Sequence, residues 1–164
     1  MLRSLLIGLV AGQRGLTPLA AVAIATQRHE IATVLPLQKL LQHPLMAAGS
    51  IALAAAEMGG DKMKSAPDRV VPAGLAVRAV TSAYAGAALA PRNQRVAGAA
   101  VAVGAALLSS YIGLRLRRSA MRRYGQTATG LVEDAIVFGS GLLIANPRLT
   151  GDAARITDAR RTRR

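Results

Sequence analysis

An all-α, polytopic transmembrane bundle of about five membrane segments is the fold the sequence predicts, and three observations predict it. Hydrophobic residues make up 52% of the 164, with a mean hydropathy of +0.33, and they fall into five separate runs. The apolar mass is Ala, Leu, Val and Gly rather than aromatic: Phe, Trp and Tyr together reach 2% and Trp is absent. Soluble cores lean on aromatics for buried area, whereas small residues let helices approach closely in lipid. Lys and Arg lie between and after the runs, giving a net charge of +13. That placement fits anionic lipid head groups better than nucleic acid, because no basic stripe is interleaved with stacking aromatics. The lack of Cys excludes disulfides, thiolate catalysis and Cys-ligated metals.

The first run, Leu5 to Thr26, is interrupted by Gln13-Arg14-Gly15 and Pro18. It reads as a broken helix, or as a helix kinked at Pro18 after a polar turn. Arg3 followed by Leu5 to Val10 has the look of a secretory signal, but Arg14 follows at once and four more apolar runs need a membrane anyway. The second run, about Leu40 to Ala56, enters at Pro44 and meets Glu57. The third, about Val71 to Ala90, carries Pro72 in its first turn, Arg78 inside and Pro91 at its close. The fourth, Val96 to Leu114, has no charge over a length of about 29 Å, which matches a hydrocarbon core. The fifth, about Gly130 to Ala145, opens with Glu133 and Asp134 and stops at Asn146-Pro147. Residues 1–147 thus form one membrane domain, and 148–164 a basic, frayed or disordered tail.

Five simple spans place nine basic residues on one side and ten on the other, so the positive-inside rule does not choose an orientation. A re-entrant first run gives eleven against eight, and a re-entrant fifth gives fifteen against four, which charge alone favours.

The candidate functional residues are charges in costly places. Arg14 and Arg78 fall well inside apolar runs and keep their protons under almost any burial. They call for a carboxylate or a wet cavity, and Arg78 is expected to pair with Glu57 or Glu133. Glu133 and Asp134 point about 100° apart on a helix, so at most one faces a given neighbour squarely. Glu57 and Asp61 share a face if the helix continues through Gly59-Gly60, and Lys62, Pro67, Asp68 and Arg69 complete an interfacial loop. His29 and His43 sit near polar loops, and no metal site or Ser/His/Asp triad can be assembled. Gly86, Gly98, Gly104, Gly139 and Gly141, with neighbouring Ala, read as helix-packing surfaces.

Glu57, Asp61-Lys62-Met63, Ser65, Pro67-Asp68-Arg69, Pro72 and Arg78 form an ordered pattern within and beside Ala/Gly-rich helices. Gly12-x-Arg14 with Pro18 precedes it, and Leu131-Val132-Glu133-Asp134-Ala135 follows. Together they resemble an uncharacterised bacterial membrane-protein family, domain-of-unknown-function family 4126, over nearly the whole chain. The family pattern has Pro where this chain has Lys64. The resemblance implies a multi-pass location in a bacterial inner membrane and carries no activity.

The expected function is transport or permeation of a small solute or ion past Arg14, Glu57, Asp61, Arg78, Glu133 and Asp134, with no cofactor. The short chain favours a homodimer. One alternative is a non-catalytic accessory subunit. Another is a membrane enzyme acting on a lipid or phosphate through Asp61, Lys62, Asp68 and Arg69, with Mg²⁺ dependence as its sign. A soluble Ala-rich helical protein is the remaining alternative.

Overall fold

The computed structural model describes residues 1–31, 35–60 and 71–146. The interfacial loop at Asp61, Lys62, Pro67, Asp68 and Arg69 and the basic tail lie outside the described residues. Among the described residues the chain is all-helical, with seven α-helices and no strand. They are α1 (Leu2–Gln13), α2 (Thr17–Gln27), α3 (Pro36–Leu41), α4 (Pro44–Gly60), α5 (Pro72–Leu89), α6 (Arg95–Tyr124) and α7 (Gln126–Ala145). A 3₁₀ turn, Arg92–Gln94, leads into α6. That stretch with α6, and α7, are long and apolar enough to cross a membrane, with mean hydropathies of 1.7 and 1.5 over their best windows.

Prolines set several helix starts. Pro18, Pro36 and Pro72 each stand in a first turn, where a missing N–H leaves no bond unmade. α4 includes Gly59 and Gly60, and the residues that follow them lie outside the described ones. α6 continues ten residues past Leu114, because Arg is a good helix former, until Gly125 takes φ +79° and stops it.

The first apolar run doubles back on itself. Arg3, at the start of α1, donates from Nε and Nη2 to the carbonyls of Ile144 and Ala145 at the end of α7 (2.9 and 2.7 Å). Gln27, at the end of α2, donates to the carbonyls of Leu41 and Gln42 just before α4. Arg28 shares a small cavity with Ala145 and Asn146. Both ends of the α1–α2 hairpin therefore lie at one end of the bundle, here the base, and its tip, Arg14 to Leu16, points toward the other. The break occurs in the first run, not the fifth: α7 is continuous over 20 residues. Charge favours the fifth, but only the first carries the polar Gln13-Arg14-Gly15 and a proline midway.

The hairpin occupies the centre. α1 packs along α5 and α6, and α2 between α4 and α7. Close approach depends on small residues: a Cβ on Gly8 or Gly12 would collide with the backbone of Ala102 or Ala106. Gly86 and Gly98 likewise bring α5 against α6. Gly104, expected to share this packing surface, faces open space. The buried set is mostly Ala, Gly, Ser and Thr, whereas Leu45, Val80, Leu108 and Leu143 face outward, with Leu45 75% exposed.

Candidate functional site

The hairpin tip is held by one side chain or more from each of the four long helices around it. On α4, Glu57 accepts hydrogen bonds from the backbone N–H of Gly15 (2.7 Å) and of Leu16 (2.8 Å). No side chain of the hairpin caps α2 itself. Glu57 instead bonds the two N–H groups just ahead of α2 from across the bundle, where its negative charge suits the N-terminal end of a helix dipole. On α5, the Thr81 hydroxyl donates to the Gly15 carbonyl (2.6 Å). Arg78, one turn away and 6% exposed, lays its side-chain stem against Gly15 beside the Glu57 carboxylate.

On α6, Ser109 accepts from the Gln13 side-chain amide at both its carbonyl and its hydroxyl (2.9 and 2.7 Å). Gly113 leaves the room that Gln13 fills. Ser110 donates to the Gly12 carbonyl (3.1 Å). On α7, Asp134 accepts from Arg14 Nε at 2.7 Å, in a buried ion pair whose arginine is 1% exposed. Thr17, the first residue of α2, has a fully buried hydroxyl with no hydrogen-bond partner among the described residues.

A second ion pair lies next to the first. Glu133 meets Arg117 of α6 at 3.5 Å, looser and somewhat more exposed than Arg14–Asp134. The two adjacent carboxylates of α7 thus serve two different arginines, as their 100° offset requires. A cleft of about 640 Å³ between α6 and α7 reaches down to Gln13, Arg117 and Glu133.

Of the six residues expected to converge, Arg14, Glu57, Arg78, Glu133 and Asp134 come together around the tip, and Asp61 lies outside the described residues. Arg78 was expected against Glu57 or Glu133; it lies beside Glu57, while Glu133 faces Arg117. His29 and His43 are exposed. Arg117 is hidden in the sequence because it sits among five arginines that look like one solvated flank. One signal singles it out. The stripe Gly98, Ala102, Ala106, Ser109, Gly113 continues at helical spacing to Arg117, which is buried, whereas Arg115, Arg118, Arg122 and Arg123 are exposed.

Chemically, this arrangement concentrates charge and oriented backbone groups at the point where a helix is interrupted. Its carboxylates are engaged by arginines and backbone N–H groups, and no cluster of three His, Cys, Asp or Glu side chains occurs among the described residues. The chain matches no protein-family model, no curated protein and no solved structure.

Proposed function

We propose that the chain is a multi-pass protein of a bacterial cytoplasmic membrane, of permease type, that passes a small solute or ion at the tip of a re-entrant helical hairpin. The observation that carries this reading is the convergence of charges from all four long helices on a broken-helix tip. Interrupted helices with charged neighbours are the way membrane transporters build sites near the bilayer midplane. α1 would reach about 18 Å into a hydrocarbon core of about 30 Å. The unpartnered Thr17 hydroxyl adds a polar group beside the tip, where buried hydroxyls ordinarily find a partner.

The membrane location is supported by the inverted distribution of residues. Arginine, aspartate, serine and alanine are inside, and Leu2, Leu45, Val80, Leu108 and Leu143 are outside. Such a surface suits lipid and is a liability in water. The resemblance to domain-of-unknown-function family 4126 supports the same location. With α4 to α7 as four spans and the hairpin re-entrant, the base carries eleven basic residues against eight and would face the cytoplasm.

The absence of cysteine makes the test clean. Membranes washed in carbonate should retain the protein. Single cysteines replacing Leu2 and His29 should react with an impermeant maleimide from the same face, and a five-span chain would place them on opposite faces. A cysteine at Gln13 should react with small water-soluble thiol reagents in reconstituted vesicles. Vesicles tight to protons and ions, with position 13 unreactive from both faces, would overturn permeation. That result would favour the accessory-subunit reading, which the outward apolar face of α4 also supports, since only Ala47, Ser50 and Ala54 of that helix are buried. A stoichiometric partner retained in purification is its sign.

A further inference from the structure

α6 and α7 leave the Gly125 turn as two arms of a V. The inner faces carry Leu116, Ala120 and Tyr124 on one arm and Val132 and Ile136 on the other. The space between them, about 640 Å³, lies within the range of about 300–1,000 Å³ usual for ligand sites. Its walls are apolar, and its polar groups are few and placed. Gln13, Arg117 and Glu133 stand at the bottom, and Thr129 sits on the wall. The Thr129 hydroxyl is buried and has no hydrogen-bond partner among the described residues. Arg123 flanks the inner face at helical spacing, and Arg115, Arg118 and Arg122 are exposed around the outside of the same turns.

We propose that this cleft binds an anionic phospholipid, with one acyl chain between the arms and the phosphate at the arginines. The inference rests on the membrane reading above. α6 is about 45 Å long against a core of about 30 Å, so its last turns, around Arg122 and Arg123, reach head-group level. The arginines mark that level, where basic residues attract anionic lipid. From there the cleft follows α7 inward from Ala128 to Val137, about 14 Å.

The occupant must match an apolar slot, a hydroxyl donor partway along it and a basic rim. An acyl chain, an ester carbonyl and a phosphate supply these in that order. A second copy of the chain fits less well. A two-fold interface there would set this arginine stretch against itself, and like charges face to face oppose association. A lipid in the V would also close the side of the molecule nearest the Arg117–Glu133 pair and keep water from it.

The test is native mass spectrometry of the detergent-purified chain with equimolar dioleoylphosphatidylglycerol and dioleoylphosphatidylcholine. One phosphatidylglycerol per chain is expected, preferred at least about fivefold. Ala120→Trp, which fills the slot, should lower that occupancy about tenfold. Leu108→Trp, on an exposed face of the same helix, should leave it unchanged. Thr129→Val, nearly the same shape, should weaken it several-fold with an unaltered circular dichroism melt, so loss of binding is not loss of fold. Equal binding of the two lipids would overturn the proposal, as would undiminished phosphatidylglycerol binding by Ala120→Trp. So would an Ala120→Trp variant that changes from dimer to monomer while its lipid occupancy stays constant. A protein retained in carbonate-washed membranes that binds both lipids alike loses only the lipid site. One released by carbonate loses the membrane reading with it.

Discussion

The molecule contains two helical hairpins built on opposite plans. α1–α2 is short, central and closed: its tip is bonded by Glu57, Thr81, Ser109 and Asp134, and α2 is buried on nearly every side. α6–α7 is long, peripheral and open: its arms spread from Gly125 around an apolar cleft and carry exposed Leu, Ile and Val along their outer faces. The closed hairpin is the less apolar of the two in sequence at its tip, yet it is the more deeply buried. Polar contacts from four helices, together with close backbone approach, seat it there. The open hairpin has the hydropathy of membrane helices, and its arms pack on α1, α2 and α5 more than on each other. Burial in this fold follows small size and hydrogen-bond satisfaction, not hydrophobicity.

Breaking the closed tip should have the largest effect. Asp134→Ala takes from Arg14 the carboxylate that neutralises it, and uncoupling one partner of a buried pair costs about 3–5 kcal/mol. The variant should unfold in detergent at markedly lower temperature than the parent. Arg14→Met with Asp134→Leu removes both charges and should recover much of the loss. A double variant no better than Asp134→Ala would mean that the tip depends on the ion pair itself and not only on charge balance.

Next is the seam between α1 and α6. Gly12→Leu drives a side chain into the Ala106 carbonyl and Ser109, and overpacking of this kind costs about 1–3 kcal/mol or more. Gly104→Leu, on the same α6 but facing open space, should stay within about 0.5 kcal/mol of the parent. Equal losses at both would show that Gly104 is covered, and the obvious cover is a second copy of the chain.

The contrast also explains what could be read in advance. Four of the five apolar runs became single helices, because Pro44, Pro72 and Pro91 punctuate them and length does the rest. The interruption at Gln13-Arg14-Gly15 was legible from composition, and so was the list of costly charges. The doubling back was not, since a kinked through-helix and a hairpin share the same residues at the break. What decides between them is distant: Arg3 reaching Ala145, and Glu57 reaching Leu16. Charge counting failed here because it weighs loops equally, whereas the tip is fixed by single hydrogen bonds. Arg117 was hidden by four exposed arginines around it and visible only as the next step of a small-residue stripe.

Glu57 lets the capping role be separated from charge. Glu57→Gln keeps an acceptor for one of the two N–H groups and should cost about 1–2 kcal/mol. Glu57→Leu removes both acceptors and should cost about 3 kcal/mol, since hydrogen bonds to a charged group contribute about 1.5–3 kcal/mol each. Thermal unfolding in one detergent ranks the two. If the variants behave alike, the carboxylate matters for its charge beside Arg78 and not for the backbone bonds.

Only a small effect on stability is expected at the turn of the open hairpin. Gly125 holds φ +79° and ψ 166°, a conformation that L side chains rarely adopt and that costs on the order of 1–3 kcal/mol when one must. In a closed hairpin that cost would appear in full as lost stability, because the arms cannot move. Here the arms are spread and touch little, so Gly125→Ala can relax by changing their angle. Its unfolding free energy should fall by less than about 1 kcal/mol, while the spacing of the arms shifts. Spin labels on cysteines at Ala120 and Val132, read by electron–electron double resonance in nanodiscs, should report that shift as a moved or broadened distance. A large loss of stability with an unchanged distance would mean that the V is as rigid as the tip, and that the cleft is held open by packing at its base and not merely left open by its turn.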